Sequence, residues 1–154
     1  MTKERLALFK ASGVDAVIIR AGCAHFEDAM LPTFVKWCRE LGLSFGLYYY
    51  FYPGILLTSQ IELFVELINE YPDVKNIWID VEESLNDTTG IAYPSIALNA
   101  FYKKIADTLV ATYPNRIVGV YSAQWVMDTF IPQMYLWANK LPFWCANYVK
   151  YYSW

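Results

Sequence analysis

Asn76-Ile-Trp-Ile-Asp-Val-Glu82 alternates strictly between apolar and mixed positions. Successive side chains of an extended chain point to opposite faces, so Ile77, Ile79 and Val81 fall on one side and Trp78, Asp80 and Glu82 on the other. The segment therefore reads as a strand with one wholly apolar face to lay on helices and a second face whose carboxyl end carries two acids. At about 3.3 Å rise per residue, Asp80 and Glu82 stand roughly 6.6 Å apart along that face. Two carboxyls this close push one pKa upward, and desolvation by Trp78 adds to the effect; a Glu can be kept protonated as a general acid in this way. Many D-x-E triplets are only solvated pairs at a strand exit. A triplet at the end of a Val/Ile/Trp-rich strand differs because a buried charge is costly without a function or a partner.

On either side of this strand the hydrophobic period switches between strand-like and helical, with connections at Gly, Pro and Asx signals. Upstream, Ser59 and Glu62 form a capping-box signature for a helix burying Ile61, Phe64, Val65 and Ile68 and ending at Tyr71-Pro-Asp73. Before it come a strand over 44–51 and a helix over about 28–41, with Phe34, Trp37, Cys38 and Leu41 on one stripe and Gly42 as its stop. The continuous apolar run over 14–20 predicts a strand covered on both faces, preceded by a helix over 2–12. Downstream, a helix from about Tyr93 to Thr112 aligns Leu98, Tyr102, Ile105 and Leu109. Strands follow over 116–121 and 142–148, with a less regular helix within 124–138 between them. Strands alternating with helices give βαβ units and a parallel sheet, hence an α/β fold. Connections into the strands are short and those leaving them longer and polar, which places a site at the carboxyl ends of the strands.

The chain has 154 residues, enough for one domain with a real core, and its 56 % hydrophobic content excludes disorder. Twelve basic against fifteen acidic residues give a formal charge of -3 and no footprint for a nucleic acid. The longest apolar stretch, 43–57, is broken by Ser44, Gly46, Pro53 and Gly54 and is too short to span a bilayer, and the first ten residues hold no signal-peptide core. No G-x-G-x-x-G or Walker-type loop follows a strand, so no nucleotide cofactor is expected. Cys23, Cys38 and Cys145 have no C-x-x-C spacing and read as buried free thiols; with His25 the only histidine, no His-rich metal site can form.

Aromatic residues make up 18 % of the chain, and several fall at strand ends. Period two places Gly46, Tyr48 and Tyr50 on one face, and Gly119 and Tyr121 on the corresponding face of a later strand, with small residues deep and phenols at the mouth. Trp144, Ala146 and Tyr148 share a face of the last strand. Tyrosine is a good strand residue in any case. Several around one acid pair nonetheless form a cleft for a neutral, hydroxyl-rich ligand, because aromatic faces stack on sugar rings and phenols donate hydrogen bonds. Arg20 reads either as a ligand contact or as an internal partner of Asp80 or Glu82. Asp28, in the loop with His25, reads as a structural cap.

Five segments, Gly13-Val-Asp-Ala-Val-Ile-Ile-Arg-Ala-Gly22, Gly46-Leu-Tyr-Tyr-Tyr50, Trp78-Ile-Asp-Val-Glu82, Gly119-Val-Tyr-Ser122 and Phe143-Trp-Cys-Ala-Asn-Tyr148, occur in an order and spacing that resemble glycoside hydrolase family 25. These are muramidases that include many phage endolysins. The resemblance implies an irregular, TIM-like parallel β/α barrel that cleaves the β-1,4 bond between N-acetylmuramic acid and N-acetylglucosamine in peptidoglycan, at the bacterial cell wall and with retention. It implies Glu82 as general acid/base. Asp80 would assist beside it, either orienting the substrate's acetamido group or stabilising positive charge at the anomeric carbon. Arg20, Tyr48, Tyr50, Trp78, Tyr121, Trp144 and Tyr148 would line the sugar groove, with no metal or other cofactor. The family begins with a strand bearing a further aspartate, which would precede the first helix here, and its closing strands would follow Trp154. A closed barrel takes roughly 250 residues. The expectation is therefore a single, partial domain over residues 1–154 whose barrel is incomplete. A glycan-binding or structural barrel without activity and a chitinase-like glycosidase remain alternative readings of the same residues.

Overall fold

The computed structural model describes residues 1–82 and 89–146. It is an α/β protein built on one six-stranded sheet in the order β2-β1-β3-β4-β5-β6. The strands are β1 (Ala16–Cys23), β2 (Phe26–Glu27), β3 (Ser44–Tyr50), β4 (Asn76–Val81), β5 (Ile117–Ala123) and β6 (Phe143–Ala146). All neighbours are parallel except β1 and β2, a short antiparallel return that the sequence pattern does not announce. The sheet curls into a half-barrel.

The helices are α1 (Lys3–Ala11), α2 (Leu31–Leu41), α3 (Leu57–Glu70), α4 (Ser95–Thr112), α5 (Gln124–Phe130) and α6 (Tyr135–Ala138). A 3-10 turn at Pro132–Met134 divides the last two, resolving the irregular helix expected over 124–138. The β4 alternation holds: Ile77, Ile79 and Val81 are fully buried in the core shared with α4, where Leu98, Tyr102, Ile105 and Leu109 present the predicted stripe. Fully burying an aliphatic side chain is worth about 1.5–3 kcal/mol, so this one layer supplies much of the drive that holds β4 in register.

Several expectations need correction. Helix α3 starts at Leu57, two residues before Ser59, and Ser59 Oγ donates to the Leu56 carbonyl instead of capping the helix; no capping box forms. Helix α2 opens at Leu31, and the residues it buries deepest are Leu31, Val35 and Cys38. Strand β1 is helix-covered on one face only, with Ala16 and Arg20 exposed and a register shift between Arg20 and Gly22. Of the three thiols only Cys38 is buried, and burial pushes its pKa up; Cys23 is half-buried and Cys145 exposed.

Two buried polar side chains tie connecting loops to the frame. Gln60 accepts from the Tyr52 backbone N–H at 2.8 Å and donates to the Tyr52 and Ile55 carbonyls at 3.0 and 3.1 Å, clamping the β3–α3 loop. Tyr49, on the helix-facing side of β3, donates its hydroxyl to the Ala24 carbonyl at 3.0 Å, while the Ala24 N–H donates to the Tyr50 carbonyl at 3.1 Å. Ala24 is held at φ 55°, a left-handed conformation that a non-glycine residue keeps only under such tertiary restraint.

Candidate active site

Strand register builds the site in two rows. Arg20, Tyr48, Trp78 and Gly119 lie side by side across β1, β3, β4 and β5. One pleat repeat nearer the carboxyl ends, Tyr50, Asp80, Tyr121 and Trp144 form the next row across β3 to β6. Glu82 follows in phase just past β4. A cavity of about 590 Å³ opens over these rows and is lined by Tyr48, Trp78, Asp80, Glu82, Tyr121 and Trp144, with Ile18, Cys145 and Ala146 completing the wall.

The aromatic walls are ordered against one another. Trp144 meets Trp78 edge-on at 6.0 Å between centroids and Tyr121 at 5.2 Å. Trp78 lies flat against β5 because position 119 is glycine: a Cβ there would sit 2.7 Å from the indole. Gly46 similarly gives way to the neighbouring strand, its missing Cβ falling 2.8 Å from the Asn76 carbonyl.

Asp80 is only 6 % exposed, and its Oδ1 has no hydrogen-bond partner among the described residues; the same is true of the buried Trp78 Nε1. Burial, with the charge of Glu82 added to it, pushes the Asp80 pKa up to about 7. The raised pKa thus falls on the deeper acid of the pair. An orphan carboxylate oxygen and an orphan indole N–H on one cavity wall are groups to be satisfied by something that enters. Burial also raises the Tyr48 phenol, with Arg20 opposing the shift and Asp80, Asp28 and Glu82 adding to it.

Arg20 pairs with neither Asp80 nor Glu82. Its Nε donates to Asp28 Oδ2 at 2.6 Å, and Asp28 Oδ1 accepts from the Met30 N–H at 2.9 Å. Burial works to raise the Asp28 pKa, but the Met30 N–H and the guanidinium outweigh it and hold the carboxylate ionised. The pair lines a second cavity of about 580 Å³ along the outer edge of β1, which shares Ile18, Tyr48 and Trp144 with the first. Tyr50 is not among the residues lining either cavity; its ring leans toward Tyr52 at 6.5 Å. Tyr148 lies outside the described residues. Ile18 also lines the cavity though no sequence pattern singled it out; its place two residues before Arg20, on the same face of β1, is the signal that could have found it.

A curled parallel α/β sheet with an acid pair at the carboxyl end of a central strand, walled by aromatic rings, is the arrangement of a barrel-type glycosidase. The chain belongs to glycosyl hydrolases family 25, whose profile matches residues 4–153. No curated protein matches it by sequence. The modular autolysin LytC from Streptococcus pneumoniae superposes with a TM-score of 0.75 at 25 % identity, over 97 % of this chain and 36 % of the autolysin. A second structure of LytC, in complex with a synthetic peptidoglycan ligand, matches at 26 % identity with the same TM-score and coverage. A muramidase from Trichobolus zukalii shares the fold with a TM-score of 0.77 at 16 % identity, over 94 % of this chain and 71 % of the muramidase. The chain therefore spans about a third of the autolysin it matches.

Proposed function

We propose that the domain is a peptidoglycan hydrolase of the N-acetylmuramidase type, cleaving the β-1,4 bond between N-acetylmuramic acid and N-acetylglucosamine. The observation that carries this reading is the buried Asp80, whose Oδ1 has no hydrogen-bond partner among the described residues, beside Glu82 in an aromatic-walled cavity of a family 25 chain. The ligand complex of the LytC relative supports the same substrate class.

In this mechanism the acid pair holds one proton, which Glu82, at the mouth, delivers to the glycosidic oxygen as the bond to the anomeric carbon breaks, leaving Asp80 ionised. Asp80 sets its negative charge against the positive charge that develops at the anomeric carbon and on the substrate's acetamido group. Water then attacks the anomeric carbon and loses a proton to the Glu82 carboxylate, which restores the acid for the next cycle. Trp78, Tyr121 and Trp144 stack on sugar faces, and Tyr48 donates a hydrogen bond; Tyr50 and Tyr148 belong to the same proposed groove. The residues present need no metal for these steps.

The test is turbidity loss of purified peptidoglycan with the wild type and with Glu82→Gln. Clearing by the wild type and a loss of about 10²-fold or more in the variant is the expected result. If both are inert while the protein still pulls down cell walls, the domain is a glycan-binding module and the hydrolase reading fails. Reducing-end analysis of the products separates muramidase from glucosaminidase or chitinase action.

A further inference from the structure

We propose that Arg20 reads a carboxylate on the bound glycan, and that this contact selects an acidic muramyl polymer over an uncharged chitin-type one. The proposal rests on the peptidoglycan reading of the cleft. Arg20 stands in register beside Tyr48, a residue common to both cavities, and lines the second. Its side chain is 54 % exposed, whereas its partner Asp28 is 14 % exposed and fixed from behind by the Met30 N–H.

The manner of pairing separates this arginine from a structural one. Arg39 turns a two-nitrogen fork onto Asp73, giving Nε at 2.9 Å and Nη2 at 2.7 Å. A guanidinium meets a carboxylate best in that bidentate form. Arg20 gives Asp28 only Nε, and no described residue hydrogen-bonds to its Nη1 or Nη2. Asp28 thus fixes the plane of the guanidinium and leaves its outer edge, the side that binds a carboxylate in a fork, without a partner among the described residues in the wall of the second cavity.

Charge points the same way. Asp80 and Glu82 line the first cavity and Asp28 the second, and among the described residues lining the two Arg20 is the only lysine or arginine. An anionic polymer is repelled by such a wall except where a cation offsets it. Muramic acid differs from N-acetylglucosamine by a lactyl ether bearing a carboxyl group, and stem peptides attached there bring carboxylates of their own. The chemistry read is a carboxylate in either case.

The experiment measures binding of a soluble alternating glycan strand with free lactyl carboxylates, the same strand with those carboxyls reduced to alcohols, a strand carrying stem peptides, and a chito-oligosaccharide of equal length. Wild-type protein is expected to bind an acidic strand about tenfold more tightly than the reduced one, as one charge-assisted contact allows. Arg20→Gln should erase the preference, and Arg20→Lys should keep part of it. A preference seen only with stem peptides assigns the carboxylate to the peptide, and one seen with the bare strand assigns it to the lactyl group. Asp28→Asn retains the cation but frees its plane and should weaken the preference without abolishing it; matched thermal unfolding controls for the fold. Equal wild-type binding of acidic and reduced strands overturns the proposal, as does a preference that survives in Arg20→Gln. Should wild type cleave both strands without preference, the carboxylate reading fails and the hydrolase reading stands. An Arg20-dependent preference without cleavage has the opposite meaning.

Discussion

Ser122 on β5 donates its hydroxyl to the carbonyl of Val81 on β4 at 2.7 Å, and Val81 is the residue between the two acids. Both residues are fully buried. The bond pins, from the helix side of the sheet, the peptide that sets how far apart Asp80 and Glu82 stand.

Ser122→Ala leaves a buried carbonyl with one partner fewer, at a cost of about 1–2 kcal/mol in urea unfolding. Because the loss falls between the acids, kcat on a soluble glycan should drop severalfold while KM changes little. An unchanged kcat would show that the pair is spaced by the strand alone.

The raised pKa of Asp80 has a consequence for stability. Its carboxyl holds a proton up to about pH 7 in the folded state, against an ordinary value of 3.8. Between those two values the folded protein binds a proton that the unfolded chain has released, so stability falls as pH rises through this window and levels off above it. The span corresponds to roughly 4 kcal/mol. Asp80→Asn should flatten the dependence of Tm on pH between about 4 and 7, raise stability at pH 8, and abolish hydrolysis. A variant less stable than wild type at pH 8 contradicts the assignment.

The same proton shapes the rate. Hydrolysis needs Asp80 ionised and Glu82 protonated, so the pair must hold one proton between them, and kcat/KM should fall as pH rises through about 7, where the pair loses it. A steady-state profile on a soluble glycan checks this; activity undiminished well above pH 7 contradicts the assignment.

Gly119→Ala would place a methyl group 2.7 Å from the Trp78 ring and 3.0 Å from the Pro142 carbonyl. The indole must lift into the cleft, so KM should rise several-fold, with a shift in tryptophan emission and a stability loss of about 1–3 kcal/mol. Gly46→Ala meets the Asn76 carbonyl at 2.8 Å and the Ile18 methyl at 2.9 Å. Backbone cannot swing aside as a side chain can, so this variant should be the less stable of the two by equilibrium unfolding.

What the sequence disclosed follows the range of the interactions involved. The two faces of β4 and the stripe of α4 are periodicities within one element, and Ile77, Ile79, Val81, Leu98 and Leu109 are buried as their spacing requires. The partner of Arg20 depended on the register shift after it and on the turn through Ala24 that returns Asp28 to its side, and neither is written in any local period. Which of the two acids takes the raised pKa is likewise a matter of depth. Alternation assigns two acids to one face but does not say which lies under the aromatic rings. Ser59 and Glu62 had the spacing of a capping box, yet the chain enters the helix two residues earlier, where Gln60 is needed to clamp the loop.

The Tyr49 hydroxyl reaches from the helix layer to the carbonyl of Ala24, in the turn that leads from Arg20 to Asp28. The lining of the trough is thus partly set from its reverse side. Tyr49→Phe, a change that alters no surface the glycan meets, would slacken that turn and blur which polymers the domain accepts. Substrate preference in this molecule can therefore drift through its oily interior, and a comparison confined to groove residues would overlook the positions that set it.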